Sequence, residues 1–313
     1  MEKLRNKIKD RVGGTICHYT NIEGFKGIVK SNEIWMTNAL FVNDKMELRA
    51  SLEDSEIFKG VQFKNPEFDV FKMEQQMPAP RDIADYYLAS FSKDDNSLGQ
   101  FRAYGNYCIG FDTKKLRKNR YSLYTCVYEK NDLKRWIISK DKLPEWQYEC
   151  FDNERGKSYK RSAFHSVTFA GRAKLKNKHY KAEREIRLLV VSNASWGWYP
   201  NSSAMFCDQP AIYFRDHDLF NVQIPYVKFF IPKNPKSRKE LETMVEGRSR
   251  IETKQIIRNM EADQERELLP VNKVVIGPMQ HQEEIVFATK IFLLENGYDQ
   301  VDVEPSNIPF RGK

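Results

Sequence analysis

The spacing of apolar residues near the beginning of the chain predicts a strand that leads directly into a helix. An apolar stretch ends at the run Cys17-His18-Tyr19-Thr20. Glu23 follows Thr20 by three positions, which is the spacing of a capping box with Thr20 as the N-cap. The next apolar residues share one helical face: Phe25, Ile28 and Val29. His18 and Tyr19 are therefore predicted to lie at a strand-to-helix turn, where side chains point into clefts.

Further along, runs rich in β-branched and aromatic residues predict strands, and longer amphipathic stretches predict helices. The predicted strands cover residues 33–37, 86–92, 107–111, 121–129, 185–192, 273–277 and 301–303. The predicted helices cover residues 43 to about 58, 98–104, part of 137–167, and a stretch that Pro278 opens and Gly297 ends. This last helix has a predicted apolar face made of Ile285, Ala288, Ile291, Phe292 and Leu294.

The pattern shows no internal repeat and no clear linker between domains. Because early and late strands are expected to pair with each other, residues 1–313 are predicted to form a single α+β domain. Residues 233–267 are dense in Lys, Arg and Glu and predict a helical pair inserted into this domain. The insertion is either mostly solvated or a surface for a partner protein.

Composition narrows the class of partner. The net charge of +8 and the pI near 9.0 favour an anionic partner such as a nucleotide or a nucleic acid, or else describe a merely solvated basic surface. No apolar run approaches the ~20 residues that cross a bilayer, and the first residues lack the apolar core of a signal peptide. We therefore expect a cytoplasmic protein without a membrane partner. The five cysteines are scattered without C-x-x-C spacing, which predicts free thiols and no metal site.

A series of short motifs occurs in order along the chain. They are His18-Tyr19-Thr20, Asn43-Asp44-x-x-Glu47, Ser90-Phe91-Ser92, Tyr104 before Gly110-Phe111-Asp112, Glu183-Arg184-Glu185-Ile186-Arg187, Ile276-Gly277-Pro278 and Ile308-Pro309-Phe310-Arg311. The ordered set resembles the bacterial family called domain of unknown function 2971, over residues 16–311. That family is in turn distantly similar to the ADP-ribosyltransferases.

The resemblance implies a fold and a reaction. The implied fold is of ADP-ribosyltransferase-like type, in which split antiparallel sheets, flanked by helices, hold NAD as a substrate in a cleft. In such enzymes an early strand supplies a histidine that binds the ribose, and an aromatic side chain packs on nicotinamide. A glutamate from a late strand stabilises an oxocarbenium-like transition state.

The resemblance assigns these roles to individual residues. His18 corresponds to the early histidine and Glu185 to the late glutamate, while Glu183 matches the Glu-x-Glu pair of arginine-modifying members. Tyr104 is the favoured aromatic residue, with Tyr19 as the alternative. The implied catalytic residues are Glu185, His18 and Tyr104. The implied NAD-binding residues are His18, Tyr19, Thr20, Ser90, Ser92 and Tyr104.

The chemistry of the late motif is sensible by itself. A fixed carboxylate stabilises the positive charge that develops on a sugar when its bond to nicotinamide breaks. Strand alternation predicts that Glu183, Glu185 and Arg187 share one face, where the arginine keeps the carboxylate ionised. The alternative is that Glu185 and Arg187 form only a structural ion pair. Likewise, His18 is either a site residue or a satisfied, partly buried imidazole.

Other residues are candidates for contacting the acceptor substrate: Asn43, Asp44, Glu47, Glu183, Arg187 and Arg311. Asp44 and Glu47 are explained equally well as helix-capping residues. Ser90 and Ser92 either hydrogen-bond ribose or support the site, or they simply end a strand. Arg311 either reaches a phosphate or closes the domain.

The resemblance favours an enzyme that places ADP-ribose on a macromolecule, either a protein or a nucleic acid. Such domains in bacteria often act as toxins or as effectors of anti-phage defence. One alternative is a nucleic-acid-binding or RNA-processing module of the same fold without NAD chemistry, including an RNA 2′-phosphotransferase-like activity. A further alternative is a regulatory partner protein in a defence system, with residues 233–267 making the contact.

Overall fold

The computed structural model of the chain describes residues 12–42, 86–116, 121–129, 131–133, 135, 148–152, 157–161, 174–191, 210–217 and 221–310. The predicted helix that begins near residue 43 lies outside these ranges, as does Arg311.

Among the residues that the structure describes, ten strands form one large sheet, and two more form a separate hairpin. The strands are β1 (Thr15–Thr20), β2 (Ile34–Asn38), β3 (Tyr86–Ser92), β4 (Tyr107–Asp112), β5 (Ser122–Thr125), β6 (Tyr148–Asp152), β7 (Lys157–Arg161), β8 (Glu185–Val191), β9 (Ile212–His217), β10 (Val222–Phe229), β11 (Val271–Ile276) and β12 (Asp302–Pro305). The helices are α1 (Ile22–Ser31), α2 (Leu98–Tyr104), α3 (Thr113–Leu116), α4 (Arg238–Val245), α5 (Arg250–Asp263) and α6 (Gln282–Glu295). Short 3₁₀ turns cover Ala39–Phe41 and Lys178–Glu183.

The large sheet branches at β3. Along its main path the order is β12-β11-β4-β1-β3-β2-β10-β9, and β8 lies beside β3 with β5 outside it. One edge of β3 pairs with β8 over its whole length. Its other edge is shared: β1 pairs only at Ser92, whereas β2 pairs at Leu88 and Tyr87. Because β1 and β2 leave β3 at opposite ends, the sheet opens between them.

The two faces of the sheet carry different cores. On the face that we call the α1 face, Ile16, Phe91 and Ile186 belong to the main apolar cluster, and helix α1 adds Phe25. On the other, which we call the α2 face, Cys17, Tyr19 and Cys108 pack with Phe101 of α2. Since successive side chains of a strand point to opposite faces, neighbouring residues of one strand belong to different cores.

The fold is α+β with a mostly antiparallel sheet, as the sequence predicts; β11 and β12 pair in parallel. The predictions at 86–92 and 98–104 match β3 and α2 in both bounds. In the stretch 137–167, expected to be partly helical, the described residues form strands β6 and β7, and the rest of the stretch lies outside the described ranges. Their pairing with each other supplies the backbone hydrogen bonds that local periodicity does not reveal.

Two helix starts differ from the predictions. The N-cap of α1 is Asn21 rather than Thr20, because the Asn21 side chain accepts the Gly24 amide at 2.9 Å while Thr20 still belongs to β1. Helix α6 begins at Gln282, not at Pro278, since His281 adopts a left-handed backbone just before it.

The buried face of α6 also differs from the one predicted. The helix buries Val286, Thr289 and Leu293, and leaves Ile291 and Leu294 exposed. The helix carries apolar side chains on several of its faces, so its periodicity alone did not determine which face is buried. Gly297 lies in the left-handed region just after the helix, as predicted.

Candidate functional site

Glu185 is the first residue of β8, and its carboxylate is enclosed in the sheet. Its backbone N–H donates to the Tyr128 hydroxyl at 2.8 Å. Oε1 of the carboxylate accepts a hydrogen bond from Ser90 Oγ at 2.5 Å. Because Glu185 is 2% exposed, its negative charge has to be balanced by the protein rather than by water.

Two cations supply that balance through Oε2 of the same carboxylate. Lys176 Nζ lies at 2.7 Å and Arg187 Nη2 at 3.2 Å, and both side chains are buried. The Cys126 thiol also approaches Oε2, at 3.5 Å. Burial, and next the nearby Glu185 charge, raise the pKa of this thiol well above its usual value, so it stays protonated. We call Ser90, Lys176, Glu183, Glu185 and Arg187 the carboxylate cluster.

Glu183 belongs to this cluster although it does not lie on the strand, as strand alternation had assumed. It ends a 3₁₀ turn, and Arg184 between the two glutamates has a left-handed backbone with φ of 46°. Glu183 Oε2 nevertheless lies 2.6 Å from Lys176 Nζ, and its side chain is 21% exposed. The two carboxylates thus converge on one ammonium group, and Glu183 is the more accessible of them.

Tyr104 ends helix α2 at the accessible side of the cluster. Its hydroxyl donates to Glu183 Oε1 at 3.4 Å, and the residue is 39% exposed. Burial of the phenol, and next the Glu183 charge, raise the pKa of Tyr104 to about 12. The alternative aromatic, Tyr19, is buried; its hydroxyl donates to the Asp94 carbonyl at 2.8 Å and accepts from the Ser97 amide. Of the two, Tyr104 is therefore the one beside the carboxylates.

His18 reaches the same strand residue as Glu185, from the other side of the sheet. Its Nδ1 lies 2.9 Å from the Ser90 carbonyl oxygen, which requires the hydrogen to be on Nδ1 because a carbonyl only accepts. Its ring contacts Phe91 on the α1 face, at 5.6 Å between centroids. Burial lowers the pKa of His18, and the bond to Ser90 only partly opposes this. Ser90 thus binds His18 through its backbone and Glu185 through its side chain.

The two remaining predicted NAD-binding residues, Ser92 and Thr20, are the last residues of β3 and β1. Ser92 Oγ donates to the Glu183 carbonyl at 2.7 Å and accepts from the Asp94 amide at 3.0 Å. Thr20 is the last residue of β1 and is half-buried. The candidate substrate-contacting residues Asn43, Asp44, Glu47 and Arg311 lie outside the described part of the chain.

Sequence reasoning missed three residues that contact Glu185: Lys176, Cys126 and Tyr128. Lys176 belongs to no motif, and nothing in its neighbourhood distinguishes it from the other lysines. Its position depends on an isolated parallel bridge between Val127 and Leu175, which only the folded chain creates.

A surface cavity of about 330 Å³ lies away from this cluster. It is lined by residues near the start of β11 and the end of α6, including Leu269, Pro270 and Tyr298. It contains none of the predicted site residues. Within the described ranges, no group of His, Cys, Asp and Glu side chains has the arrangement of a metal site. In the same ranges, no helix combines the length and apolar character needed to cross a bilayer.

The fold and the site together define an α+β protein with a buried carboxylate cluster where its sheet branches. Comparisons with protein-family models, with curated proteins and with solved structures gave no significant match.

Proposed function

We propose that the protein is an ADP-ribosyltransferase-like enzyme that uses NAD as a substrate and transfers ADP-ribose to a macromolecule. The observation that carries the proposal is the meeting of Glu183, Glu185 and Tyr104 on one face of the sheet, while His18 contacts the Ser90 backbone from the opposite face. The opening between β1 and β2 along β3 is compatible with the split sheets that the resemblance implies. A serine that hydrogen-bonds the glutamate also fits the supporting role of such serines in some transferases.

Transfer of ADP-ribose from NAD requires an ionised carboxylate beside the reacting sugar carbon. Breaking the bond between nicotinamide and ribose leaves positive charge on the sugar, which a preorganised carboxylate stabilises more strongly than it stabilises the ground state. In this chain Lys176, Arg187 and Ser90 hold Glu185 in one orientation. The same or a neighbouring carboxylate, such as Glu183, takes the proton from the acceptor nucleophile.

The residues fit a ribose at one side of the cluster. Glu183 and the Tyr104 hydroxyl are partly exposed and offer the acceptors and donors that ribose hydroxyls need. Glu185 itself is covered by its cations, so the sugar has to approach from the side of Glu183 and Tyr104. The aromatic ring of Tyr104 is the surface available there for nicotinamide.

The test uses NAD labelled in its adenylate part, incubated with the full chain and a cell lysate. We expect label to be retained in the protein or the nucleic-acid fraction, and Glu185→Gln to reduce its retention by about 100-fold or more. Glu33→Gln is a matched control, because Glu33 is also buried and also paired with one lysine and one arginine, Lys228 at 3.1 Å and Arg266 at 2.6 Å. If Glu185→Gln and Glu33→Gln reduce the retained label equally, the loss results from impaired folding, and the proposal is contradicted.

One observation favours a second candidate, a nucleic-acid-binding or RNA-processing module without NAD chemistry. The near-complete burial of Glu185 against two cations is what a purely structural ion-pair network would show. The net charge of +8 suits a polyanion. In that case labelled RNA or DNA binds with strong salt dependence, no label transfers from NAD, and Glu185→Gln leaves binding unchanged.

The biological setting is suggested by the resemblance alone. We propose that the enzyme acts as a bacterial toxin or as an effector of anti-phage defence. If expression of the wild type arrests growth and expression of Glu185→Gln does not, toxicity depends on the proposed chemistry. If the protein instead acts as a regulatory partner through residues 233–267, Glu185→Gln should leave toxicity unchanged.

A further inference from the structure

Lys176 contacts both glutamates of the carboxylate cluster. Its Nζ lies 2.6 Å from Glu183 Oε2 and 2.7 Å from Glu185 Oε2. Arg187, by comparison, is paired with Glu185 at 3.2 Å. An ammonium group has three N–H donors, so it can serve both carboxylates at once.

The backbone fixes where this ammonium group lies. The Lys176 amide donates to the Val127 carbonyl at 3.0 Å, and the Val127 amide donates to the Lys174 carbonyl at 2.9 Å. These bonds hold residues 174–176 alongside the segment that continues from β5. The Lys176 side chain is 6% exposed and passes 4.9 Å from the Tyr180 ring centroid. Its geometry is therefore set by the protein and not by solvent.

The ammonium group of Lys176 stays protonated in this position. Burial lowers the pKa of an ammonium group, but the Glu185 and Glu183 carboxylates outweigh burial and raise the pKa of Lys176 overall. The group therefore stays cationic while it screens two carboxylates that would otherwise repel each other.

We propose that Lys176 is a positioning residue that holds Glu183 and Glu185 together in the orientation required for transfer. The inference rests on the proposed transferase function. It goes beyond that function because it assigns the geometry of the glutamate pair to a lysine outside every motif. Lys176 is proposed to act through the two glutamates that it contacts.

The first experiment measures kcat and KM for NAD in the wild type, Lys176→Met and Lys176→Arg. We expect Lys176→Met to lower kcat by about 100-fold, as misplacement of reacting groups by about 1 Å does, with KM changed less than about threefold. Lys176→Arg restores much of kcat, because a guanidinium group can also bridge two carboxylates. Lys228→Met is the matched control, since it removes a lysine from the buried Glu33 and should leave kcat within about twofold.

The second experiment is independent of activity. Double-mutant cycles in urea combine Lys176→Met with Glu183→Gln and, separately, with Glu185→Gln. A lysine that bridges both glutamates gives a coupling of about tenfold in the unfolding equilibrium constant in each cycle. Coupling to only one glutamate would overturn the bridging geometry.

The outcomes separate the two proposals. If the wild type transfers label and Lys176→Met keeps its full kcat, the positioning role is wrong and the transferase function stands. If the wild type transfers no label under conditions that saturate NAD, both are wrong, and coupling in both cycles then identifies Lys176 as part of a structural network only. Loss of kcat with rescue by Lys176→Arg and an unaffected Lys228→Met supports both.

Discussion

At the scale of single residues, Ser90 is the point where the two halves of the predicted motif meet. Its carbonyl accepts from His18 and its hydroxyl donates to Glu185, although the ring of His18 packs on the α1 face. At this point β1 leaves β3, so the Ser90 carbonyl has no strand partner from β1 and the imidazole supplies one. His18 therefore has a defined structural role in addition to the role proposed for it.

This role makes stability depend on pH. Because burial lowers the pKa of His18 in the folded state, the unfolded chain takes up a proton first as the pH falls below about 6.5. The neutral imidazole thus stabilises the fold fully above about pH 6.5, and the stabilisation is lost as the pH falls toward the lower folded-state value. We expect the difference in free energy of unfolding between wild type and His18→Gln to shrink between pH 7.5 and 5.5, measured by urea unfolding.

His281→Gln is the control for this experiment, because His281 lies exposed at the start of α6. A loss of stability that changes with pH more in His18→Gln than in His281→Gln is attributed to the buried imidazole of His18. A His18→Gln variant whose deficit stays constant across this pH range would show that the imidazole is not kept neutral by burial.

At the scale of elements, the charged stretch 233–267 does form a helical pair, α4 and α5. Both helices begin with a capping box in which a serine and a glutamate bond each other's backbone groups. Helix α5 is not merely solvated, however. Glu261 is 1% exposed and accepts from the Ala211 amide at 3.1 Å and the Tyr213 hydroxyl at 3.3 Å.

The contact of α5 with β9 predicts a cost for removing Glu261. We expect Glu261→Ala to lower the free energy of unfolding by about 3 kcal/mol, since the buried Ala211 amide and the partly buried Tyr213 hydroxyl lose their acceptor. Glu265→Ala is the matched control, because Glu265 pairs with Lys233 at the surface and should contribute under about 1 kcal/mol. Equal effects in urea unfolding would mean that α5 is a detachable insertion.

At the scale of the whole molecule, the sheet joins segments from both ends of the chain. Strand β4 lies between β1 from the beginning and β11 from near the end. The residues Val274 and Ile276 of β11 are fully buried in the main core. Folding of the first half therefore depends on residues that follow it by more than a hundred positions.

This dependence predicts the behaviour of a truncated chain. A chain that ends at residue 270 leaves one edge of β4 unpaired and uncovers apolar side chains, so it should lose cooperative urea unfolding and associate. Circular dichroism and size-exclusion chromatography measure both effects. Adding residues 271–313 as a separate peptide should restore part of the monomeric fraction, and a truncated chain that unfolds cooperatively without it would contradict the prediction.

The sequence by itself determined the local elements whose pattern is complete within a few residues. A continuous run of aromatic and apolar residues predicted β3, and the short helix of residues 98–104 was predicted in both bounds. It also contains the short motifs on β1, β3 and β8 whose resemblance to a known family names the candidate site residues.

Only the tertiary structure decided which of these residues meet. His18 and Ser90 are 72 positions apart, and Ser90 and Glu185 are 95 apart, so their contacts depend on strand order and register. Lys176 is brought to both glutamates by a bridge between two irregular segments and by a left-handed residue at Arg184. Periodicity in a sequence indicates which side of an element is buried. Which residues of other elements pack against that side depends on the order and register of the strands in the whole sheet.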